Sequence, residues 1–195
     1  LAGWTGTSSL CAKCSKGTYK NKTGSESCTQ CPDASGNHAS TSPAQSDDVS
    51  DCKCNAGYYD SGTDGTLTCT QCPLNHTSEL GSSDLSHCAC NSGYTGPGAG
   101  ACTGCEFGKF KSSVGTFDCT ACAKGQYSES IGQTACETCP KHTTTEEQGS
   151  KSILACVCEK GKTNFFGPDG QECTLCPADT YKKSTGSFLL HIKKY

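Results

Sequence analysis

Residues 102–140 read CTGCEFGKFKSSVGTFDCTACAKGQYSESIGQTACETCP. Two successive loops in this stretch share one grammar. Cys105 and Cys122 open them, and Cys119 and Cys136 close them. Three residues after each opening cysteine stands a glycine, Gly108 or Gly125, and two further on an aromatic, Phe110 or Tyr127. A second glycine, Gly115 or Gly132, lies four residues before the closing cysteine. The first glycine permits a positive φ at a bend. The aromatic covers an adjacent disulfide as a miniature core. The second glycine turns the chain back. Each loop therefore reads as a short irregular hairpin closed by a crosslink.

The same grammar recurs outside this stretch. Cys14 opens CSKGTY, with Gly17, Tyr19 and Gly24 in place. Cys54 (CNAGYY) and Cys90 (CNSGYT) are close variants, with Gly65 and Gly98 as second glycines. Cys158 opens CEKGKT, where Gly161 stays and the aromatics slip to Phe165 and Phe166. A second loop type begins Cys-Pro, is longer and Ser/Thr/Asp-rich, and ends at a Cys-x-Cys doublet. It spans Cys31 to Cys52, Cys72 to Cys88 and Cys139 to Cys156, with Pro32, Pro73 and Pro140 fixing φ at the bend.

All 20 cysteines fall in doublets. Cys11/Cys14, Cys28/Cys31, Cys69/Cys72, Cys102/Cys105, Cys119/Cys122, Cys136/Cys139 and Cys173/Cys176 are Cys-x-x-Cys; Cys52/Cys54, Cys88/Cys90 and Cys156/Cys158 are Cys-x-Cys. Ordinary core residues are scarce: the chain of 195 residues has no Met and one Trp. Ordering it still costs entropy at every residue, so crosslinks must replace a core. In the chain-entropy model a loop of this size contributes roughly 3 kcal/mol per disulfide. The expected fold is small and disulfide-rich: an elongated tandem array of short β-hairpin and irregular modules, with almost no helix and no single hydrophobic core. The modules divide as 1–52, 53–88, 89–156 and 157–187, with an off-pattern tail at 188–195.

Disulfides in this number imply an oxidising setting, so the protein is expected to be secreted or on the extracellular surface. No signal peptide or membrane-spanning run is visible, and the lack of an initiator Met reads as a processed chain or an excerpt. Net charge is −3, and all 16 basic residues are Lys. Without Arg there is no bidentate phosphate fork, and no nucleic-acid partner is expected.

Two pairings fit the doublets. In a ladder, each loop closes on itself: Cys14–Cys28, Cys31–Cys52, Cys54–Cys69, Cys72–Cys88, Cys90–Cys102, Cys105–Cys119, Cys122–Cys136, Cys139–Cys156 and Cys158–Cys173. Cys11 and Cys176 then stand outside, unpaired within the chain or bonded to another. In a crossed scheme doublets pair in twos, as Cys11–Cys28 with Cys14–Cys31, and all 20 cysteines are used. Turn residues at both ends of each glycine loop favour the ladder. The termini fit the same frame. LAGWTG at Leu1 to Gly6 aligns with NSGYTG at Asn91 to Gly96, placing Trp4 on Tyr94. At the other end Cys176 starts CPADTYKKSTGS, with Tyr181 and Gly186 in place, but Leu190 stands where a closing cysteine belongs.

With this frame, CxxGxY…GxxxCxxCP…CxC, the chain resembles the ephrin-receptor-like cysteine-rich repeats of extracellular proteins over roughly residues 1 to 187. Single glycine loops are also similar to the first submodule of tumour-necrosis-factor-receptor cysteine-rich domains. CACNSGYTG at Cys88 to Gly96 is similar to the last loop of an epidermal-growth-factor-like module. In both of those relatives the loop is closed by its own flanking cysteines, so the resemblance also implies the ladder. Repeats of this kind occur in receptors, adhesion proteins and fibrous coats, so the frame defines a class more sharply than a function.

Other chemistry weighs less. Cys11/Cys14 with Cys28/Cys31 has nearly zinc-ribbon spacing, but the doublets recur with Cys-x-Cys mixed in, as in a disulfide frame. Asp60, Asp64 and Gly65 read as a turn rather than a calcium loop, because Gly62 takes a ligand place. Asp47, Asp48 and Asp51 read as a solvated loop. His38, His76, His87, His142 and His191 read as surface residues without a nucleophile. No catalytic residue, metal or cofactor is expected. Asn21 and Asn75 sit in N-glycosylation sequons, and Thr143, Thr144 and Thr145 are O-glycan candidates. The resulting expectation is a non-enzymatic structural repeat protein: a spacer, or the protomer of a fibrous or filamentous glycosylated assembly. Its partners would be copies of itself or flanking modules, with Phe107, Tyr59, Phe117 and Phe166 as anchoring aromatics. The alternative is the binding or stalk region of a receptor or adhesion protein.

Overall fold

The computed structural model describes residues 1–7, 10–32, 40–63, 65–98, 100–167, 170–176, 180–181 and 191–192. The chain divides into two compact units. The first comprises Leu1–Asn91, Gly96–Cys102 and Val114–Thr116; the second comprises Ser92–Thr95, Thr103–Ser113 and Phe117–Tyr195. Among the described residues all sheets are two-stranded antiparallel hairpins, and the helical elements are three short 3-10 turns. This is the small disulfide-rich, strand-based fold that the loop grammar implies.

A left-handed residue starts each loop. Gly17, Gly57, Gly93, Gly108, Gly125 and Gly161 have φ between 74° and 85°. The next residue closes the turn onto the residue after the opening cysteine, as in Thr18 N–H to the Ser15 carbonyl at 3.1 Å and Gln126 N–H to Ala123 at 3.0 Å. The chain then pairs with the strand that follows the closing cysteine, for example Tyr19 with Thr29 and Tyr127 with Glu137. At the N-terminus Gly3 has φ 73° and Trp4 N–H bonds the Leu1 carbonyl at 3.3 Å, so Leu1 to Gly6 keeps the geometry of its aligned loop.

The proline loops use the same turn without glycine. Asn75 (φ 63°) and His142 (φ 66°) occupy the left-handed place, three residues after Cys72 and Cys139. Asn adopts this region more readily than most side chains. His76 and Thr143 then donate to the Pro73 and Pro140 carbonyls, each at 3.0 Å. The loops end in 3-10 turns at Val49–Asp51, Leu85–His87 and Ile153–Ala155. Asp48, Asp84 and Ser152 cap them by accepting from Ser50, Ser86 and Leu154 N–H. Each turn delivers its closing cysteine, as Cys88 N–H bonds the Leu85 carbonyl at 2.9 Å.

Nine disulfides close the loops: Cys14–Cys28, Cys31–Cys52, Cys54–Cys69, Cys72–Cys88, Cys90–Cys102, Cys105–Cys119, Cys122–Cys136, Cys139–Cys156 and Cys158–Cys173. These half-cystines are the core. Among the described residues, the buried apolar side chains are half-cystines and Tyr127. Tyr58, with Leu67, packs on its own loop's Cys54–Cys69 bond. Tyr127 instead covers the next loop's Cys139–Cys156 bond. Trp4, Tyr19, Tyr59, Tyr94 and Phe110 are half-buried, and Phe107 and Phe117 are exposed.

Within each unit, consecutive loops are joined by a recurring set of hydrogen bonds. The left-handed glycine donates its N–H to the following loop, as Gly57 to Ser78 at 3.0 Å and Gly93 to Lys111 at 2.8 Å. A second left-handed residue bonds back to the preceding opening cysteine. Gln45 reaches the Cys14 carbonyl, Gly81 reaches Cys54, Gly132 reaches Cys105 and Gly149 reaches Cys122, at 2.8–2.9 Å. Among the motif's second glycines, Gly132 and Gly115, whose N–H bonds the Cys90 carbonyl at 3.0 Å, thus join loops as well as turning the chain.

A side-chain bond completes the set. The carbonyl four residues after an opening cysteine accepts from a buried side chain of the next loop. Ser42 Oγ donates to Thr18 at 3.0 Å and Ser78 Oγ to Tyr58 at 2.6 Å. Lys20 Nζ donates to Trp4 at 3.0 Å, and also to Gly24, while Lys111 Nζ donates to Tyr94 at 2.7 Å. Both lysines are buried, and burial lowers the Lys111 pKa.

Near the C-terminus the slipped aromatics lie in a longer hairpin, Lys162–Gly167 with Gly170–Leu175. Cys176 N–H bonds the Gly161 carbonyl at 3.2 Å, and Cys176 belongs to none of the nine disulfides; nor does Cys11, on the exposed strand Leu10–Lys13. Of the off-pattern tail, His191–Ile192 is described, and Tyr181 pairs with His191. That is the register Tyr19 makes with the residue after Cys28. Leu190, Asp64 and His38 lie outside the described residues.

Four substitutions test this account. A Cβ on Gly108 would lie 2.1 Å from the Gly149 carbonyl oxygen, whereas one on Gly161 meets nothing within 4 Å. Both have positive φ, so Gly161→Ala carries backbone strain of about 1–2 kcal/mol. Gly108→Ala adds the collision and costs at least about 2 kcal/mol more, read from denaturant midpoints under non-reducing conditions. Lys111→Ala leaves the Tyr94 carbonyl without its donor and costs about 1–3 kcal/mol. Lys111→Ser, which copies Ser42 and Ser78, loses less in the same measurement.

Candidate functional site

Chemistry on this chain is confined to its surface loops and to the polar groups wedged between loops. Asn21 is exposed in its loop, and Asn75 is half-buried in the left-handed place of its loop. The threonine triplet behaves otherwise. Thr145 is 1% exposed; its Oγ1 donates to the Glu147 carbonyl and accepts from Gly125 N–H. Thr143 is also buried, and its hydroxyl donates to Pro140. Both hydroxyls are thus engaged within the fold, while the third candidate, Thr144, is half-buried. Alternation along the strand Thr143–Thr145 turns the two outer side chains inward.

The acidic loop residues act on the backbone. Asp48 Oδ1 accepts from Ser50 N–H at 2.8 Å, and Asp84 Oδ1 from Ser86 N–H at 2.8 Å. Bonds to the charged form, from the Ser50 backbone and hydroxyl at Asp48 and from the Ser86 hydroxyl and backbone at Asp84, hold both carboxyls below the usual carboxylate range. Glu129 Oε1 accepts from Ile153 N–H and Ser152 Oγ, and its pKa is lowered for the same reason. Asp60 Oδ1 accepts from Gly62 and Thr68 N–H at 3.0 and 2.9 Å, the geometry of a turn. Tyr127 donates its hydroxyl to Glu137, which raises its pKa.

The histidines separate. His87 is exposed on a 3-10 turn and accepts at Nδ1 from Ser83 N–H, while His142 is half-buried at its left-handed position. His76 departs from the surface reading: it is 8% exposed. It stands four residues after Cys72, where Trp4, Tyr58 and Tyr94 carry aromatic rings in their own loops. Its ring fills that place, with Nε2 3.0 Å from Cys102 Sγ. Nothing in the sequence marks it except this alignment. For the doublets, the zinc-ribbon reading gives way to bonding, because the members of Cys28/Cys31 enter different disulfides.

In the first unit a concavity of about 670 Å³ is lined by Thr77, Glu79, Leu80, His87 and Val114, among others. Large apolar side chains also face solvent: Leu10, Leu74 and Leu80 in the first unit, Phe107, Phe117 and Leu154 in the second. Tyr59 is half-buried, and the Phe166 side chain lies outside what the structure describes.

Two segments, residues 5–52 and 112–156, match the family model described as tyrosine-protein kinase ephrin type A/B receptor-like. Each segment contains a glycine loop, then a proline loop, then the first cysteine of a Cys-x-Cys doublet. The chain thus carries ephrin-receptor-like cysteine-rich modules in a tandem disulfide frame, a kind of domain that is typically extracellular. No curated protein matches the chain. Among the described residues no helix is long and apolar enough to cross a membrane.

The caps give a pH signature. A carboxyl whose folded pKa is depressed stabilises the fold above its unfolded value, about 3.9 for Asp. That contribution is lost as pH falls through the lower folded value. The Ser50 and Ser86 amide resonances are expected to shift together in NMR titrations below about pH 3.9. Asp48→Ser and Asp84→Ser keep a capping oxygen and remove the shift. A shift that persists in both variants would assign it to another group.

Proposed function

We propose that this chain is part of an extracellular structural repeat protein, serving as a spacer or as the protomer of a fibrous, glycosylated assembly, without enzymatic activity. The observation that carries this reading is the recurring bond set between consecutive loops. Glycine loops present a left-handed N–H that the following loop accepts, as at Gly17, Gly57, Gly93 and Gly108, so a loop added in the same register meets the same partner. Head-to-tail contacts of this kind generate open filaments wherever the rotation between copies does not close. Exposed Phe117 (65%) and Leu154 (80%) supply apolar area for contacts between copies, and glycans on Asn21 and Asn75 would cover other faces.

The receptor reading remains the second one, favoured by the description of the matched family model. There the modules would form the stalk or binding region of an ephrin-receptor-like surface protein, and the concavity at Leu80 and Val114 would be the place to look for a ligand.

Light scattering and native mass measurement on intact, glycosylated material separate the two. Assembly predicts species of several copies, reduced at least tenfold in Phe117→Ser and Leu154→Ser. A monodisperse monomer at working concentrations overturns the assembly. Enzymatic N-glycan release is expected to convert Asn21 and Asn75 to Asp in the same sample.

A further inference from the structure

Strand register places His76 directly opposite Cys90. Its Nδ1 lies 2.9 Å from the Leu74 carbonyl oxygen, which only accepts, so Nδ1 carries a proton. In the neutral ring the Nε2 lone pair then faces the sulfurs of the next loop. Nε2, Cys90 Sγ and Cys102 Sγ all lie within 4.8 Å of one another. Cys90 is fully buried and Cys102 half-buried. In the oxidised chain the two sulfurs are bonded to each other and offer no thiolate.

We propose that this cluster is a reduction-gated site for a thiophilic ion such as Zn2+, held by Cys90, Cys102 and His76 once a dithiol reductant has opened the Cys90–Cys102 bond. The reductant's first thiolate attacks Cys102 Sγ, the reachable partner. The S–S electron pair leaves on Cys90 Sγ, which takes up a proton. The reductant's second thiol resolves the mixed disulfide and frees Cys102. The dithiol has then become a disulfide, and its two electrons and two protons are on the cysteine pair. Zn2+ displaces both protons and binds two thiolates and one neutral imidazole.

The geometry asks for little movement. Zinc lies about 2.3 Å from sulfur and about 2.0–2.1 Å from nitrogen, so tetrahedral thiolates sit about 3.8 Å apart. The Cα atoms of Cys90 and Cys102 are 5.6 Å apart, so side-chain rotation supplies the change. Hydrogen bonds that do not involve sulfur hold the backbone: Asn91 N–H to Asn75 at 2.8 Å and Gly115 N–H to the Cys90 carbonyl at 3.0 Å. The Leu74 carbonyl fixes the ring's tautomer and orientation, as outer partners of ligating histidines do. Three protein ligands leave a fourth position for water or an external ligand.

The test uses the whole oxidised chain, treated anaerobically with graded dithiol, freed of reductant and mapped by alkylation. Cys90 and Cys102 are expected to label together once their bond has opened. One equivalent of Zn2+ then blocks that labelling, and Co2+ in its place gives thiolate–cobalt absorption. His76→Phe, which restores the aromatic of the equivalent loops, weakens Zn2+ binding at least tenfold and alters the Co2+ spectrum. Its unfolding midpoint in the oxidised state should stay near that of the unmodified chain. Should that variant fail to fold, His76→Gln is read in the same way. No protection of Cys90 and Cys102 by Zn2+, or undiminished binding without the imidazole, overturns the proposal.

Discussion

One residue per loop carries the geometry on which the others depend. Three places after an opening cysteine the backbone turns left-handed. There its N–H points to the following loop and its C=O to the doublet that closes its own. Gly57 shows both: it donates to Ser78 at 3.0 Å and accepts from Cys72 N–H at 2.9 Å. Gly108 does the same with Ser128 and Cys122. A right-handed residue would aim neither group correctly. The disulfide fixes where the loop ends, and this turn fixes how it meets its neighbour.

The protein replaces an apolar core with covalent and polar closure. A side chain buried between loops must satisfy its hydrogen bonds there, and the repeat provides an acceptor for it. The carbonyl four residues after the opening cysteine receives Ser42, Ser78, Lys20 or Lys111 at equivalent points. Short hydroxyl and long ammonium solve the same problem, Lys111 at a desolvation cost visible in its lowered pKa. His76 solves a related one, filling an aromatic's place while anchoring one nitrogen on Leu74.

The glycine spacing made the hairpins readable before any coordinates, because few residues tolerate positive φ. The C-terminal register at Tyr181 and His191 follows the same spacing although Leu190 replaces the closing cysteine. The proline loops were harder to read. Asn75 and His142 give no glycine signal, so the shared turn stayed hidden behind a different consensus. The inward Thr143 and Thr145 were hidden too, since polarity alone suggests solvent.

The sequence alone thus determined the class: loops of cysteine, glycine and proline too poor in apolar residues to fold without crosslinks. Local backbone preference suffices for that, because a left-handed turn is a property of a few consecutive residues. Only the tertiary structure decided which groups meet between loops: the glycine N–H and its acceptor, the buried lysines, Tyr127 on the next loop's disulfide, and His76 against Cys102. Those contacts join residues of different loops, such as Lys111 and Tyr94 17 positions apart and His76 and Cys102 26 apart, and their partners are set by the register between loops, which no single loop encodes.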